Sequence, residues 1–292
     1  MKYGKLAPTR PLGLKDLDAY LTTPLSAPPS VVKAPRVAHW GMLGNGPDPS
    51  VTWTGDGFNN QDGCGDCTKA GEAHAYDALT WDEALGESKH HPSSNDVVSA
   101  YFAETGGVDS GLDCGSVLQK AYTQGAFGQK IDGYGPIQYT NLTLLKQLIA
   151  SFGVAYIGIQ CPISAENAFN NNNAVWEYVP GSGNAGGHCI ILVGYDDATN
   201  IWYGVSWGEL VEITTEFLQH YMDEAWGLIA PAIATKGEFH KIDIVALQAD
   251  LPQIAPNQGT PVVNDSFIDR LEHDLDVVKD EAEKIVTEIA DL

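Results

Sequence analysis

The sequence predicts an α+β fold with two lobes, and three observations support this prediction. Of the 292 residues, 43% are hydrophobic, so the chain can fill a sizeable core. In the first half, apolar residues recur mainly at helical spacing, whereas short apolar runs typical of strands dominate the second half. Helices and strands that are segregated along a chain in this way are typical of α+β proteins.

Four segments are predicted along the chain. Residues 1–38 form a proline-rich arm, in which regular structure is expected only as a short helical turn around residues 14–21. The folded domain is predicted over residues 39–250. A proline-rich linker over 251–263 and an amphipathic helix over 264–292 follow it.

The domain contains four predicted helices followed by four predicted strands. The helices are expected over residues 68–85, 94–104, 117–124 and 142–151. The strands are expected over residues 154–160, 189–195, 201–206 and 226–234, the last interrupted by Pro231. Loops rich in Gly and Asn, over 44–63 and 167–187, separate the more regular pieces.

The last segment carries an unbroken heptad pattern. Its apolar residues alternate at spacings of three and four, namely Ile268, Leu271, Leu275, Val278, Ala282, Ile285, Ile289 and Leu292. This pattern predicts an intermolecular coiled coil, and therefore a homo-oligomer in which the chain is its own partner. The alternative is a single amphipathic helix packed on its own domain.

The charge of the chain excludes several partners. Thirty-eight acidic and 16 basic residues give a formal net charge of −22, which argues against unassisted binding to nucleic acid or an anionic membrane. No apolar run reaches the roughly 18 residues of a membrane-spanning helix, and no signal peptide is visible. We therefore expect a chain without a membrane span that is cytoplasmic during its synthesis.

Cys67 is the strongest candidate for chemistry. It follows the loop sequence Gly63-Cys64-Gly65-Asp66 and leads straight into a predicted helix. A cysteine at a helix N-terminus faces unpaired N–H groups and the positive end of the helix dipole, both of which stabilise a thiolate. A reactive thiol needs a base, and His188 at the start of an apolar strand is the best candidate. The order of these two residues is typical of thiol nucleophilic catalysis.

Separated stretches of the sequence resemble the papain-like cysteine peptidases. They are Gln61 with Cys64-Gly65-Asp66-Cys67, Gly187-His188-Cys189, and Val205-Ser206-Trp207-Gly208, in the family's order. The segment around Cys114 also resembles a stretch of that family. The resemblance covers residues 39–250 and implies a papain-like domain with a helical lobe and a β-barrel-like lobe. In the short sequence motifs spread over its length, the domain resembles papain-like proteins of tailed bacteriophages and prophages.

The resemblance implies a role for each matching residue. Cys67 would be the nucleophile, His188 its general base, and Gln61 an amide donor to the oxyanion. Trp207 would shield the histidine, with Ser206 and Asp66 shaping the site. Cys64 and Cys114 would form a disulfide.

Two departures from the family pattern predict weakened activity. The family's asparagine, which orients the histidine, falls at Val205, and valine cannot hydrogen-bond a ring nitrogen, so His188 needs another partner. Asp66 stands beside the nucleophile, where a carboxylate would raise the pKa of the thiol.

Other interpretations of these residues stay open. Cys67 could be a buried structural thiol, and His188 an ordinary core histidine. Cys64 and Cys67 have the C-x-x-C spacing of redox and zinc sites, but no buried strand precedes them and no second Cys/His pair matches them. We therefore expect no cofactor and no metal.

Two functional hypotheses follow from the sequence. The first is a papain-like thiol hydrolase that cleaves peptide or amide bonds and is held in a homo-oligomeric assembly. The second is a catalytically idle papain-like domain that serves as a structural, decoration or binding protein of a phage particle. Its partners would then be capsid or other virion proteins, and it would be found in the virion.

Overall fold

The computed structural model describes residues 2–11, 13–55, 58, 61–172 and 175–251 of the chain. Its mixture of helices and strands confirms the predicted α+β class. The described residues belong to one compact unit, which includes the N-terminal arm. The predicted heptad helix over 264–292, and the predicted linker beyond Leu251, lie outside the described residues. No described helix has both the length and the apolar character that a membrane crossing requires.

The described strands form one large antiparallel sheet and one small hairpin. They are β1 Val31–Val32, β2 Trp81–Asp82, β3 Glu87–Ser88, β4 Gly133–Ile137, β5 Ala155–Pro162, β6 Asn184–Asp196, β7 Ile201–Ser206, β8 Glu209–Thr214 and β9 Met222–Ile229. The large sheet has the order β4-β9-β5-β6-β7-β8, and β1 pairs with the end of β6. The hairpin joins β2 to β3. The sequence therefore located β5, β6 and β7, placed β9 too late, and did not predict β8 or the strands β1 to β4.

The described helices lie before, within and after the sheet in sequence. They are α1 Cys67–Leu79, α2 Ser94–Thr105, α3 Cys114–Thr123, α4 Leu142–Phe152, α5 Ile163–Asn170, α6 Thr215–Tyr221 and α7 Ile244–Asp250. The first four agree with the predicted helices apart from their ends. The predicted helix over 68–85 ends at Leu79, because the chain turns there into the hairpin of β2 and β3.

Helix α1 is buried along its whole length, although its sequence suggested one apolar face. Its charged residues are tolerated because they pair with each other. Lys69 Nζ lies 2.5 Å from Glu72 Oε2 and 2.9 Å from Glu104 Oε1 of α2. The hydroxyl of Tyr76 donates to Glu72 Oε1 at 3.0 Å. Buried charges are stable only when they are paired in this way, so this network fixes α1 against α2.

The N-terminal arm packs against the sheet side of the unit. Leu14, Leu17, Tyr20 and Leu25 are buried, and residues Leu17–Tyr20 form the short helical turn that the sequence predicted, here a 3₁₀ helix. Leu17 lies against Gly135 and Gly227, where an added Cβ would come within 3.0 and 2.4 Å of its side chain. These two glycines therefore make the space in which the arm is held.

Candidate active site

Cys67 is buried and is the first residue of α1, which agrees with the predicted position at a helix N-terminus, although the helix was expected to begin at residue 68. The backbone N–H groups of Gly4 and Cys189 approach the sulfur of Cys67 and favour the thiolate, which partly offsets the effect of burial on the thiol pKa. Cys189 lies on β6. The pairing of β6 with β7 begins only at Ile191, so the backbone N–H of Cys189 makes no hydrogen bond to β7. The helix N-terminus therefore brings the thiol against the strand residue that follows His188.

His188 lies on β6, opposite Ile159 of β5, and is 1% exposed. Its Nε2 is 2.8 Å from Ser206 Oγ at the end of β7. Its Nδ1 is buried and has no hydrogen-bond partner among the described residues. With the ring proton on Nε2, the imidazole donates to Ser206 and keeps the Nδ1 lone pair available as a base.

Ser206 supplies the orienting contact for which the sequence left no residue. The alignment of motifs put the family's asparagine at Val205, whose side chain has no polar atom. Neighbouring residues of a strand point to opposite faces, so Val205 and Ser206 of β7 cannot both face His188. The structure directs the serine at the histidine, and its hydroxyl makes the contact expected of the missing amide.

A tight turn holds Trp207 against His188. Trp207 and Gly208 join β7 to β8, and both have positive φ angles, 49° and 79°. Two-residue hairpins with positive φ at both positions match the twist of the flanking strands, and here only the second position is glycine. The indole of Trp207 stacks on the imidazole with ring centroids 4.7 Å apart and planes at 22°. This placement agrees with the shielding role that the resemblance implies.

Burial keeps both candidate catalytic groups uncharged. It raises the pKa of the Cys67 thiol to about 12, with a further contribution from the neighbouring thiol of Cys189. Burial also lowers the pKa of His188 to about 3, and His74 adds to the effect. A thiolate–imidazolium pair is therefore disfavoured in this closed state.

Asp66 and Gln61 are placed differently from each other. Asp66 is fully buried, and burial raises its pKa well above its ordinary value, which favours the uncharged acid. The sequence assigned the raised thiol pKa to this carboxyl, but burial of Cys67 itself is the larger cause. Gln61 is exposed in the turn before α1. Its role as an oxyanion donor stays a prediction.

The disulfide expected between Cys64 and Cys114 is absent, because all five cysteines are free thiols. Cys64 packs with Val98, Tyr101 and Phe102, in a different cluster from Cys114. Cys114 begins α3, and its thiol instead contacts that of Cys189. Within the described ranges, no group of three or more His, Cys, Asp or Glu side chains is arranged to hold a metal ion.

The first residues of the chain occupy the space over Cys67 and His188. Leu112 N–H donates to Gly4 O at 2.9 Å, Lys5 N–H to Gly187 O at 3.0 Å, and Leu6 N–H to Leu112 O at 3.0 Å. Glycines form the floor at each close approach: an added Cβ at Gly187 would lie 2.2 Å from Lys5 O. A Cβ on Gly4 would lie 1.6 Å from Gly65 O. The N-terminal segment therefore fits only because glycines stand at these contacts, both in the segment and in the backbone that it meets.

The N-terminal segment presents a backbone N–H group to the Cys67 sulfur, whereas a substrate would present a carbonyl carbon. Gly4 turns its N–H toward Cys67, whereas its carbonyl accepts from Leu112. Nucleophilic attack needs a carbonyl carbon at the sulfur. The edge of the Tyr3 ring approaches His188 at 5.9 Å between centroids, and its hydroxyl donates to Glu166 at 2.7 Å. The bound segment thus covers both groups in an arrangement that does not favour its own cleavage.

Sequence reasoning found the thiol and the imidazole but missed the segment that covers them. It treated residues 1–38 as a proline-rich arm with little regular structure. The local signals are glycines such as those at 65, 111, 186 and 187, which mark close approach of another segment. Nothing local identifies which segment approaches.

With the geometry in hand, comparison with solved structures identifies the fold as that of the papain-like cysteine proteases. Xylellain, a cysteine protease from Xylella fastidiosa, is 16% identical, with a TM-score of 0.51 over 78% of this chain and 96% of that one. Procathepsin B from Trypanosoma congolense is 12% identical, with a TM-score of 0.45 over 78% of this chain and 86% of that one. No protein-family model and no curated protein matches the sequence.

Replacing Ser206 with alanine is expected to lower the free energy of unfolding by about 1–3 kcal/mol, since His188 Nε2 would stay buried without a partner. Ser164→Ala is the matched control, because the Ser164 hydroxyl is buried with no hydrogen-bond partner among the described residues. Urea unfolding measures both variants. An equal effect of the two substitutions would contradict the orienting role of Ser206.

Proposed function

We propose that the protein is a papain-like thiol hydrolase that cleaves peptide or amide bonds, with Cys67 as nucleophile and His188 as general base. Cys67 loses its proton to Nδ1 of His188 and attacks the carbonyl carbon. The proton then passes to the leaving amine, and water hydrolyses the acyl-enzyme. The Cys67 N–H and the Gln61 amide are the proposed oxyanion donors.

One observation carries this proposal. Cys67 lies at a helix N-terminus, and its sulfur is close to the amide of Cys189, the residue after His188. His188, the residue before Cys189, is held through Nε2 by Ser206, while its Nδ1 stays unpaired among the described residues. A nucleophile next to a base that a third group orients is the arrangement of thiol hydrolases.

We further propose that the N-terminal segment contributes to keeping both groups uncharged. It covers them and excludes water, and desolvation is the largest cause of each pKa shift. Displacing the segment would admit water and bring both pKa values toward their ordinary range. Each unit by which the thiol pKa falls raises the thiolate fraction about tenfold at neutral pH.

The test is Gly4→Val in the full chain, because any Cβ at this position collides with Gly65 and expels the segment. Iodoacetamide is expected to label Cys67 at neutral pH much faster in Gly4→Val than in the parent chain. A library of peptidyl coumarin amides is expected to be hydrolysed by this variant. Adding Cys67→Ala should remove both signals.

Ala7→Val is the matched control, since Ala7 is exposed on the same segment and its substitution should leave labelling unchanged. If Gly4→Val left Cys67 as unreactive as in the parent chain and hydrolysed no amide, the hydrolase proposal would be wrong. Circular dichroism of each variant confirms that it is folded.

The second candidate is a catalytically idle papain-like domain in a phage particle, and the covered, uncharged pair favours it. In that case the N-terminal segment is a permanent part of the fold, and Gly4→Val gains no activity. The homo-oligomeric assembly expected for either candidate rests on the heptad residues 264–292, which lie outside the described part. Light scattering of the full chain and of a chain ending at residue 263 tests it.

A further inference from the structure

The side chain of Lys5 is buried in an acidic pocket beside Cys67. Its exposed fraction is 0%, and its Nζ lies 3.1 Å from Asp223 Oδ2 and 3.0 Å from Glu224 Oε1 of β9. Lys5 directly follows Gly4, whose N–H meets the sulfur. The pocket therefore lies about one residue along the cleft from the point of attack.

A bulge turns both carboxylates into this pocket. Adjacent residues of a regular strand point to opposite faces, but the register of β9 against β5 shifts between Met222 and Glu224. Met222 pairs with Ile159 and Glu224 with Gly158, so Asp223 is the extra residue. Such bulges re-aim side chains, and this one lets Asp223 and Glu224 contact the same ammonium group.

The pocket is held in place without Lys5. Gln160 Nε2 donates to Asp223 Oδ2 at 2.6 Å, and Trp226 Nε1 donates to Glu224 Oε2 at 2.8 Å. Gly158 forms the wall, because a Cβ there would lie 2.7 Å from the Lys5 Cε. The walls thus leave room for a long, narrow side chain with a cationic end.

The charges of the pocket require such an occupant. Glu224 is 6% exposed, and Asp223 Oδ1 is buried without a hydrogen-bond partner in the described part of the chain. Burial alone would lower the pKa of Lys5, but the two carboxylates raise it above its ordinary value. When the segment leaves, the buried carboxylate of Glu224 and the partly buried carboxylate of Asp223 lose their cation, which is unfavourable until another cation enters.

We propose that this pocket is a specificity subsite, so that the hydrolase acts on peptides with Lys or Arg close to the scissile bond. Lys5 occupies it as a stand-in for the substrate side chain. Arginine fits at least as well as lysine, because its planar group donates to two carboxylates at once. This inference rests on the proposed hydrolase function.

The test uses full-length Gly4→Val, in which the segment is displaced, and a positional-scanning library of peptidyl coumarin amides. At one position Arg and Lys are expected to exceed norleucine in kcat/KM by roughly tenfold to a hundredfold. Asp223→Asn with Glu224→Gln should abolish that preference within the variant's own library profile. Either single substitution gives a smaller loss and serves if the pair does not fold.

Glu212→Gln is the charge-matched control, because Glu212 is an exposed acid on β8, and it should leave the preference intact. An active enzyme whose preference for cations is missing, or survives in the double variant, would show that the pocket only anchors the segment. That result overturns the subsite while the hydrolase proposal stands.

A binding measurement separates the two proposals when no peptide is hydrolysed. Calorimetry on Gly4→Val with Cys67→Ala compares Nα-acetyl-arginine amide with Nα-acetyl-citrulline amide, which has the same shape without the charge. Binding of the arginine derivative alone, lost in the double acid variant, supports the subsite even if the hydrolase proposal fails. Equal binding of both, or of neither, overturns it.

Discussion

Replacing Lys69 with methionine is expected to lower the free energy of unfolding by about 3–5 kcal/mol, because it leaves a buried carboxylate without its cation. Glu72 is fully buried in α1 and Glu104 is mostly buried in α2, and both pair with the Lys69 ammonium. Lys120 lies 3.6 Å from Glu104, but Lys69 is the lysine that reaches Glu72. Urea unfolding monitored by tryptophan fluorescence measures the loss.

Two further variants show whether charge is the cause. Lys15→Met removes an ion pair to Asp250 in which the lysine side chain is 63% exposed, so a much smaller loss is expected. Adding Glu72→Gln to Lys69→Met should restore part of the stability, because it removes one of the unpaired charges. If Lys69→Met were no more harmful than Lys15→Met, the network would not be what fixes α1.

Acidification is expected to destabilise the protein through its buried histidines. The pKa of His188 is about 3 and that of His74 about 4 in the folded state, lowered chiefly by burial. Unfolded histidines titrate near 6.5, so below that pH the unfolded chain binds protons that the folded chain does not. The contribution of these histidines to the free energy of unfolding is therefore fully present above pH 6.5. It falls toward pH 3–4 by about 1.4 kcal/mol per pH unit for each histidine.

Buried acids act in the opposite direction, so the histidine contribution must be isolated. The pKa of Asp66 is raised by burial, and its penalty on the folded state therefore shrinks as the pH falls. We expect His188→Gln to lose less stability between pH 7.5 and 4.5 than the parent chain, a window that lies mostly below 6.5 and above 3. His240→Gln changes an exposed histidine and should follow the parent chain. Parallel curves for His188→Gln and the parent chain would contradict the prediction.

Local signals account for the parts of the fold that the sequence predicted well. Helix α2 begins at a capping box, in which Ser93 accepts from the Asp96 amide and the Asp96 carboxylate accepts from Ser93 N–H, and ends at Gly106 in the left-handed region. Helix α4 has Asn141 and Gly153 in the same roles. Such caps depend only on residues close to the helix ends in the sequence. The predicted bounds of both helices agree with the structure to within one residue.

Elements that depend on their surroundings were missed. Strand β8 mixes acids with apolar residues, and only its pairing with β7 separates the buried Val211 and Ile213 from the exposed Glu212. Helix α5 is short and rich in polar residues, which is why it was taken for the start of a loop. In both cases tertiary contacts outweigh local preference.

The candidate site divides in the same way. Cys67 and His188 stand in short motifs, so they could be named from the sequence. Which face of β7 meets the histidine, and hence the contact of Ser206, depends on strand pairing. The covering segment depends on contacts such as that between Lys5 and Gly187, which are remote in the sequence.

Those remote contacts also set an order in time. The N-terminal segment is made first, but the carboxylates of Asp223 and Glu224 that hold Lys5 belong to one of the last strands. Cys67, His188 and Ser206 all precede that strand in the chain. During synthesis from the N-terminus, the chain therefore contains its candidate catalytic residues before it can anchor the segment that covers them. Covering of the cleft by the N-terminal segment is therefore a late step of folding, which is completed only once β9 has joined the sheet.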